Sequence, residues 1–219
     1  MKYQYVFFDF NGTILDDVDL CLNLLNEMLN MKSLPTVNKK KYREIFTFPI
    51  ISYYQKAGFT FEDYTFEELA SYFIEKYQPS SLKCKLYPGL IELLNYLKTN
   101  KVRLVVLSAS KLSNLKEQIN HFGLESYFDC ILGIDDIYAK SKFEIAKKYF
   151  IKNMIDPKKC LFIGDTIHDY EVATSLNSSV FLVDFGHQSR DKLLQMTNNV
   201  FSSFEEIRRL LWLNMYYLI

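Results

Sequence analysis

The stretch YQYVFFDFNGT, residues 3–13, decides the fold and also raises a question about chemistry. Its apolar run is ended by Asp9, and the turn dipeptide Asn11-Gly12 and the hydroxyl of Thr13 follow. A short continuous apolar run is typical of a parallel strand that is covered on both faces. An acid at the end of such a strand is either a turn residue or part of a site. On local grounds the turn interpretation of Asn11-Gly12 is the simpler one.

Four further apolar runs predict strands, and helical patterns lie between them. The predicted strands are VRLVVLS (102–108), DCILG (129–133), CLFIGD (160–165) and SVFLVD (179–184). The predicted helices are GLIELLNYLKTN (89–100), KLSNLKEQINHFG (111–123), SKFEIAKKYFIKN (141–153) and SFEEIRRLL (203–211). Alternating strands and helices predict an α/β fold with a doubly wound, Rossmann-like parallel sheet.

One region interrupts this alternation. From about Asp17 to Lys85 the sequence has helical patterns and no convincing strand. We therefore predict a Rossmann-like core made of residues 1–16 and 86–219, and an inserted α-helical cap domain made of residues 17–85. Within the cap, KKKYR at 39–43 is interpreted as a solvated helix face. The candidate helices of the cap are DVDLCLNLLNEMLN (17–30), FPIISYYQKAGF (48–59) and TFEELASYFIEKYQ (65–78).

Composition excludes several classes of partner. The chain has 219 residues, of which 49% are hydrophobic, so it can bury one core and a small accessory domain. Lysine plus arginine (26) equals aspartate plus glutamate (26), so we expect neither a nucleic-acid nor a membrane partner. The four cysteines form no CxxC pair, which favours buried thiols and a cytoplasmic location. No apolar stretch approaches the length of a membrane span, and the oligomeric state stays open.

Polar side chains stand at the ends of several predicted strands. Ligands of open α/β sheets bind beyond the carboxyl ends of the strands. Taken alone, Asp9, Asp165 and either lysine are more often turn, cap or surface residues, and Ser108 is equally well interpreted as a helix cap. Together, carboxylates, a hydroxyl and a lysine suit Mg²⁺ beside a phosphoryl group. The candidates are Asp9, Ser108, Asp165 and Asp169, with Lys140 and Lys142 at the start of the helix after the third strand.

Four motifs carry a resemblance to a known family. In order and spacing, DFNGT (9–13), VVLSAS (105–110), KSKFEIAKK (140–148) and GDTIHD (164–169) resemble the motifs of the haloacid dehalogenase superfamily of aspartate-nucleophile hydrolases. The resemblance covers nearly the whole chain and includes a helical cap between the first and second motifs, as in phosphoglycolate phosphatase-like members. It implies a Mg²⁺-dependent phosphatase that acts on a small phosphorylated metabolite.

The resemblance also implies roles for the acidic residues. Asp9 corresponds to the nucleophile, which attacks phosphorus to give an aspartyl phosphate while its other oxygen binds Mg²⁺. Asp165 and Asp169 correspond to metal-binding acids, the latter either directly or through a water. The backbone carbonyl of Asn11 corresponds to a further metal ligand, a role that any side chain permits.

Three further residues are implied in binding the phosphoryl group. Thr13 and Ser108 would donate hydrogen bonds to the motif or to phosphoryl oxygens. The family lysine usually stands a few residues before its helix, which favours Lys140 as the catalytic lysine. The prolines that often follow that lysine are Ser141 and Phe143 here, and this departure leaves Lys142 as an alternative.

Asn11 departs from the family pattern. Family phosphatases usually have a second aspartate at this position, which protonates the leaving alkoxide. An amide cannot exchange that proton, and general acid-base catalysis typically contributes about 10² to 10⁴ in rate. Three interpretations stay open: a slow phosphatase in which His168 or a cap side chain supplies the proton, a phosphonate hydrolase-like activity, and a noncatalytic phosphate- or metabolite-binding regulatory protein. Because Asn11 precedes Gly12, deamidation to aspartate is a further hypothesis.

The cap is expected to set specificity. We expect the determinants of specificity between Lys39 and Phe61 and near Tyr53 and Tyr54. The stretch FTFPIISYYQKAGF (46–59) is rich enough in aromatic residues to line a pocket, although aromatic residues at helical spacing are more often core. Arg43 or Lys56 could meet a second anionic group of the substrate, although a solvated charge is the simpler interpretation. His187, after the fifth predicted strand, is a candidate polar contact from the core side.

Overall fold

A six-stranded parallel sheet forms the centre of the molecule. The computed structural model describes residues 2–134 and 141–216, with side chains through residue 213. The order of strands across the main sheet is β5-β4-β1-β6-β7-β8, and β2 and β3 form a separate antiparallel pair. The strands are β1 (Tyr5–Phe8), β2 (Leu15–Asp16), β3 (Lys85–Leu86), β4 (Arg103–Lys111), β5 (Cys130–Ile134), β6 (Cys160–Gly164), β7 (Ser179–Val183) and β8 (Val200–Phe201).

Helices cover both faces of the main sheet and form the insertion. The helices of the described residues are α1 (Val18–Met31), α2 (Lys39–Ile45), α3 (Ile50–Ala57), α4 (Phe66–Ser81), α5 (Leu90–Thr99), α6 (Leu112–His121), α7 (Lys142–Lys152), α8 (Ile167–Ser175), α9 (Arg190–Leu194) and α10 (Phe204–Tyr216). Apolar residues of α5, α6 and α10 pack on one face of the sheet, and those of α7, α8 and α9 pack on the other. This arrangement confirms the predicted doubly wound α/β fold.

The central strand shows why its apolar run is continuous. Val6 and Phe8 point into the cluster on one face of the sheet, whereas Phe7 points into the cluster on the other. All three side chains are fully buried. The Phe7 ring stacks on Phe162 of β6 with a centroid distance of 4.7 Å. Removing a buried Phe side chain costs about 3–5 kcal/mol, so β1 is anchored from both faces.

Residues 18–81 form a helical layer with its own hydrophobic cluster. Buried side chains of α1 to α4, such as Leu25, Met28 and Tyr54, pack together in this cluster. The chain enters the layer through β2 and leaves it through β3, and these strands pair antiparallel at its base. The separate cluster supports the division into a core and a cap domain at residues 17–85, which stays a prediction.

Several features of the fold differ from the predictions, and helices α8 and α9 are among the elements that were not predicted. The two-residue strands β2, β3 and β8 were not predicted, because two residues carry no periodicity. The 39–43 segment lies within α2, but the interpretation as a solvated face holds only for its lysines. Tyr42 is fully buried, and Arg43 is half-buried and donates a hydrogen bond to the backbone carbonyl of Phe185 at 2.6 Å.

The cysteine and membrane expectations can also be compared with the structure. All four cysteines are free thiols, and Cys21 and Cys160 are buried while Cys84 and Cys130 are half-buried. Across residues 2–134 and 141–216, none of the helices has the length and apolar character needed to cross a bilayer.

Candidate active site

Asp9 lies where the sheet topology opens a crevice. It directly follows the central strand β1, whose neighbours are β4 on one side and β6 on the other. Chain connections diverge at such a switch point, which leaves space beyond the carboxyl ends of the strands. Asp165 follows β6, and Asp169 lies in the first turn of α8. The carboxylates of Asp9, Asp165 and Asp169 offer ligand atoms that all lie within 4.8 Å of one another.

Lys142 joins two of these carboxylates. Its ammonium nitrogen lies 2.5 Å from Oδ1 of Asp9 and 2.5 Å from Oδ1 of Asp169. The residue is the first of α7, and the hydroxyl of Ser141 caps that helix by accepting a hydrogen bond from the backbone N–H of Glu144. Lys140, the lysine favoured from the sequence, lies outside the described residues. The structure thus places Lys142, the alternative, in the carboxylate cluster.

A capping box fixes the orientation of Asp169. Its Oδ2 accepts hydrogen bonds from the Thr166 hydroxyl at 2.7 Å and from the Thr166 backbone N–H at 3.1 Å. This arrangement leaves Oδ1 directed at Lys142. Gly164 makes the close packing possible, since a Cβ at that position would overlap the Asp169 carboxylate. The helix cap and the site are therefore built from the same side chains.

The cluster carries more negative than positive charge. Burial raises the pKa of Asp9 and of Asp165 above the ordinary range of a carboxyl. Burial also opposes ionisation of Asp169, but the Lys142 ammonium outweighs it and holds the pKa of Asp169 below its ordinary value. Without a cation the raised pKa values favour protonation, whereas three ionised carboxylates against one ammonium would leave two negative charges uncompensated. A divalent cation that prefers oxygen ligands would supply the missing charge, so these residues fit Mg²⁺.

The two hydroxyl residues predicted for the site lie beside it. Thr13 is fully buried, and its hydroxyl lies 3.4 Å from Oδ2 of Asp9 and 3.3 Å from Oδ1 of Asp165. β4 continues to Lys111, so Ser108 lies within the strand and not at its end as predicted, and its hydroxyl lies 3.4 Å from Oδ1 of Asn11. Thr13 therefore contacts the acids themselves, whereas Ser108 contacts the residue that departs from the family pattern.

Gly12 permits the tight turn after β1. Its φ angle is +73°, a conformation that side-chain-bearing residues rarely adopt. A Cβ at this position would overlap the carboxylate of Asp165 and the ring of His187. The Asn-Gly dipeptide is thus both a turn, as the local pattern indicates, and a part of the site.

The side chain of Asn11 bridges the core to the cap. Its amide nitrogen donates to Oδ2 of Asp17 at 3.1 Å and to the hydroxyl of Tyr77 at 2.5 Å. Its carbonyl oxygen accepts a hydrogen bond from the hydroxyl of Ser110 at 2.9 Å. An aspartate at position 11 would place a second carboxylate against Asp17. Two ionised carboxylates only accept hydrogen bonds, so this pair could form one only if one of the acids were protonated. The amide therefore suits the acid beside it better than an aspartate would.

A buried ion pair beside Asn11 was not predicted. Nε2 of His187 lies 3.3 Å from Oδ1 of Asp17, and the hydroxyl of Tyr42 lies 2.8 Å from Nδ1 of His187. The backbone N–H of His187 donates to Oδ2 of Asp165 at 2.6 Å. Although burial opposes it, the Asp17 carboxylate raises the pKa of His187 to about 9. The sequence analysis identified His187 as a polar contact, but no local signal pairs it with Asp17.

The carboxylate cluster opens into a cavity of about 500 Å³ between the core and the helical layer. We call the lining contributed by residues 18–81 the cap wall and the remaining lining the core wall. His168 lies on the core wall, and burial lowers its pKa below the ordinary value. Neither Arg43 nor Lys56, the cations considered for a second anionic group, lines the cavity.

Comparisons with known proteins agree with this fold and site. The family model described as Haloacid dehalogenase-like hydrolase matches residues 6–183. Phosphoglycolate phosphatase 1 of Pseudomonas aeruginosa is 25% identical over 84% of this chain and 70% of the relative. Tyrosine-protein kinase PtkA of Mycobacterium tuberculosis is 23% identical over 95% of this chain and 72% of the relative. A haloacid dehalogenase-like hydrolase structure from Streptococcus pneumoniae superposes with a TM-score of 0.82, at 18% identity, covering 96% of this chain and 99% of that one.

The parallel sheet, the helical insertion and the acids at the strand ends define a Rossmann-like α/β protein with an acidic site at the carboxyl edge of its sheet. The family match covers most of the chain, and the chain belongs to the haloacid dehalogenase-like hydrolases. The predicted family is thereby confirmed. The family match and the phosphatase relative support the prediction of a phosphatase enzyme.

Proposed function

We propose that the chain is a Mg²⁺-dependent phosphatase of small organic phosphate monoesters that works through an aspartyl phosphate on Asp9. One observation carries the proposal: three carboxylates and the ammonium of Lys142 converge at the switch point of the sheet. Hard oxygen ligands beside a buried cation suit a phosphoryl group and a divalent metal.

The proposed metal ligands are the carboxylates of Asp9, Asp165 and Asp169 with the backbone carbonyl of Asn11. Each carboxylate oxygen has two lone pairs, so the hydrogen bonds from Thr13, Lys142 and the Thr166 cap leave capacity for a cation. Bound Mg²⁺ would supply positive charge that balances the acids and the phosphoryl oxygens.

The chain's own residues account for the first bond-making step. A carboxylate oxygen of Asp9 attacks phosphorus, and the ester oxygen leaves with the electron pair of the broken P–O bond. Lys142 and Thr13 each contact one oxygen of Asp9, and so hold the carboxylate in one orientation. The Lys142 ammonium also offsets the negative charge of the approaching phosphoryl group. Water then displaces the Asp9 carboxylate from phosphorus and releases inorganic phosphate.

The side chain of Asn11 has no proton to give to the leaving oxygen, and His187, whose pKa is raised, holds its two ring nitrogens against Asp17 and Tyr42. Both hydrogens of the Asn11 amide already bind Asp17 and Tyr77. His168 lines the cavity, but burial lowers its pKa and so disfavours the protonated form. The proposed enzyme therefore depends on leaving groups that depart as anions.

The test is phosphate release from 4-nitrophenyl phosphate with and without Mg²⁺. The wild-type chain should turn over only with the metal, and Asp9→Asn should abolish this turnover. Asp184→Asn is the matched control, since Asp184 also follows a strand of the sheet but pairs with Arg190 outside the cluster. Equal release by the wild type and Asp9→Asn would overturn the proposal in favour of a phosphate-binding protein or a different chemistry.

A further inference from the structure

We propose that the substrate is an aryl phosphate monoester, whose aromatic ring is held by the cap wall and whose phosphate is joined through a phenolic oxygen. This inference rests on the proposed phosphatase function and goes beyond it by naming the organic group. Two independent features point to it: the aromatic character of the cap wall and the absence of a general acid at position 11, where Asn11 stands.

The cap wall is predominantly aromatic. Eight aromatic residues of the helical layer line the cavity, and they are joined by aliphatic side chains such as Ile50 and Ile74. The rings of Phe73 and Tyr77 lie nearly parallel, with an interplanar angle of 12° and centroids 5.4 Å apart. The ring of Phe48 on the cap wall and that of His168 on the core wall have centroids 4.8 Å apart. Such surfaces favour flat apolar groups, since aromatic pairs gain about 0.5–1.5 kcal/mol beyond area burial.

The polar atoms of the cap wall are largely engaged elsewhere. The hydroxyl of Tyr42 binds His187, and that of Tyr77 donates to Asp17 at 2.5 Å. These two tyrosines therefore present their rings, not free hydroxyls, to a ligand. A sugar or another polyol would leave several hydroxyls without partners on this wall, which is costly when they are buried.

The cap wall also lacks a cation for a second anionic group. All of residues 18–81 are described, and no lysine or arginine among them lines the cavity. On the core wall, Lys142 is held between Asp9 and Asp169, His187 is paired with Asp17, and Lys111 is exposed at the end of β4. A substrate carboxylate placed against the rings would be buried without a charged partner. This argues against a small charged substrate such as phosphoglycolate, which names the relative from Pseudomonas aeruginosa.

The chemistry at Asn11 favours the same class. A phenol has a pKa near 10, as in tyrosine, whereas an alcohol leaves as an alkoxide of much higher basicity. A phenolate can therefore depart without receiving a proton in the same step. An alkyl ester needs the general acid that the amide of Asn11 cannot provide. The site, which has no general acid at position 11, thus opens into a cavity whose cap wall suits aromatic groups.

Four substrates separate ring recognition from leaving-group ability. Phenyl phosphate has a ring and a phenolate leaving group, and benzyl phosphate has a ring and an alkoxide. Acetyl phosphate has a good leaving group without a ring, and phosphoglycolate has neither. We expect KM to be roughly tenfold lower for the two ring compounds, equivalent to about 1.4 kcal/mol. We expect kcat to be higher for phenyl and acetyl phosphate than for benzyl phosphate and phosphoglycolate.

A pair of variants locates the ring. Phe73→Ala should raise KM for phenyl phosphate about tenfold and should raise KM for acetyl phosphate less. Ile151→Ala is the control, because Ile151 is an exposed apolar residue on α7 outside the cavity, and it should behave as the wild type. Circular dichroism of both variants checks that they are folded before the kinetics are compared.

The outcomes distinguish the inference from the function on which it rests. If phosphoglycolate is hydrolysed with a kcat/KM equal to or above that of phenyl phosphate, the aryl inference is overturned while the phosphatase stands. An equal KM increase for phenyl and acetyl phosphate in Phe73→Ala would also overturn it. If Mg²⁺ promotes release from none of the four compounds, the proposed function fails and the inference fails with it.

Discussion

The two walls of the cavity are built in opposite ways. On the core wall, Asp9, Asp165, Asp169 and Lys142 concentrate charge at the ends of strands and at helix starts, where parallel topology brings distant parts of the chain together. On the cap wall, helices present aromatic rings and no lysine or arginine. Under the proposed function, the core wall would hold the reacting groups and the cap wall would hold the organic group of the substrate.

The two walls meet at one buried hydrogen-bond network. Asn11, Asp17 and His187 reach it from the core side, and Tyr42 and Tyr77 reach it from the helical layer. Each member is bound to another, which avoids the cost of unpaired buried polar groups. The residue that departs from the family pattern is therefore part of the junction between the walls.

The largest expected effect concerns the lysine of the core wall. Lys142→Gln removes the ammonium that contacts Asp9 and Asp169, and we expect kcat to fall about 10²- to 10³-fold, as for the loss of one preorganised electrostatic contact. Lys140→Gln is the matched control and should retain activity close to that of the wild type. Steady-state kinetics with Mg²⁺ and an aryl phosphate measure both. The reverse result would assign the role to Lys140 and contradict the geometry described for the core wall.

The next effect tests why position 11 is an amide. Asn11→Asp should lower the free energy of unfolding by about 1–3 kcal/mol, because it loses the hydrogen bond to Asp17 and brings two carboxylates together. Asn153→Asp is the control, since the Asn153 amide is exposed and donates to the backbone oxygen of Tyr149. Urea unfolding at neutral pH measures both variants.

A double-mutant cycle sharpens this result. In the double variant Asn11→Asp with Asp17→Asn, one acid and one amide again face each other. Its loss in free energy of unfolding should therefore be about 1–2 kcal/mol smaller than the sum of the losses in the two single variants. Additive effects within about 0.5 kcal/mol would show that positions 11 and 17 do not interact, against the 3.1 Å contact.

A smaller effect is expected where the cap side joins the network. Tyr42→Phe removes the hydroxyl that meets Nδ1 of buried His187, and should cost about 1–2 kcal/mol of stability. Tyr54→Phe is a suitable control, because the Tyr54 ring is likewise buried in the helical layer but its hydroxyl does not bind His187. Thermal unfolding of the two variants compares them. Equal stability would mean that the hydroxyl contributes nothing to the junction.

The smallest expected effect is no change at all. The backbone N–H of Gly12 donates to Oδ1 of Asp17 at 2.8 Å, which holds the peptide nitrogen away from the attack that deamidates Asn-Gly sequences. Peptide mass analysis of fresh and aged protein should therefore find Asn11 intact. Conversion of Asn11 to aspartate within days at neutral pH would contradict this contact.

Some of this molecule could be predicted from the sequence because its signals are local. The five longer strands carry apolar runs, and the side chains of β1 are buried alternately on the two faces of the sheet. The sheet and the acids at its carboxyl edge could therefore be predicted from these runs. The choice between Lys140 and Lys142 depends on where α7 begins, and Ser141 lies between them as the cap. Asp17 and His187 are far apart in sequence, and only the fold brings them together.

The central claim is that Asp9 carries the phosphoryl group. The direct measurement is acid quenching of the enzyme during turnover of phenyl phosphate with Mg²⁺, followed by borohydride reduction and peptide mass analysis. An aspartyl phosphate is reduced to homoserine, so the account predicts this conversion at position 9 alone, and none when substrate is omitted. Turnover with an unmodified Asp9, or with conversion at Asp165 or Asp169 instead, would contradict it.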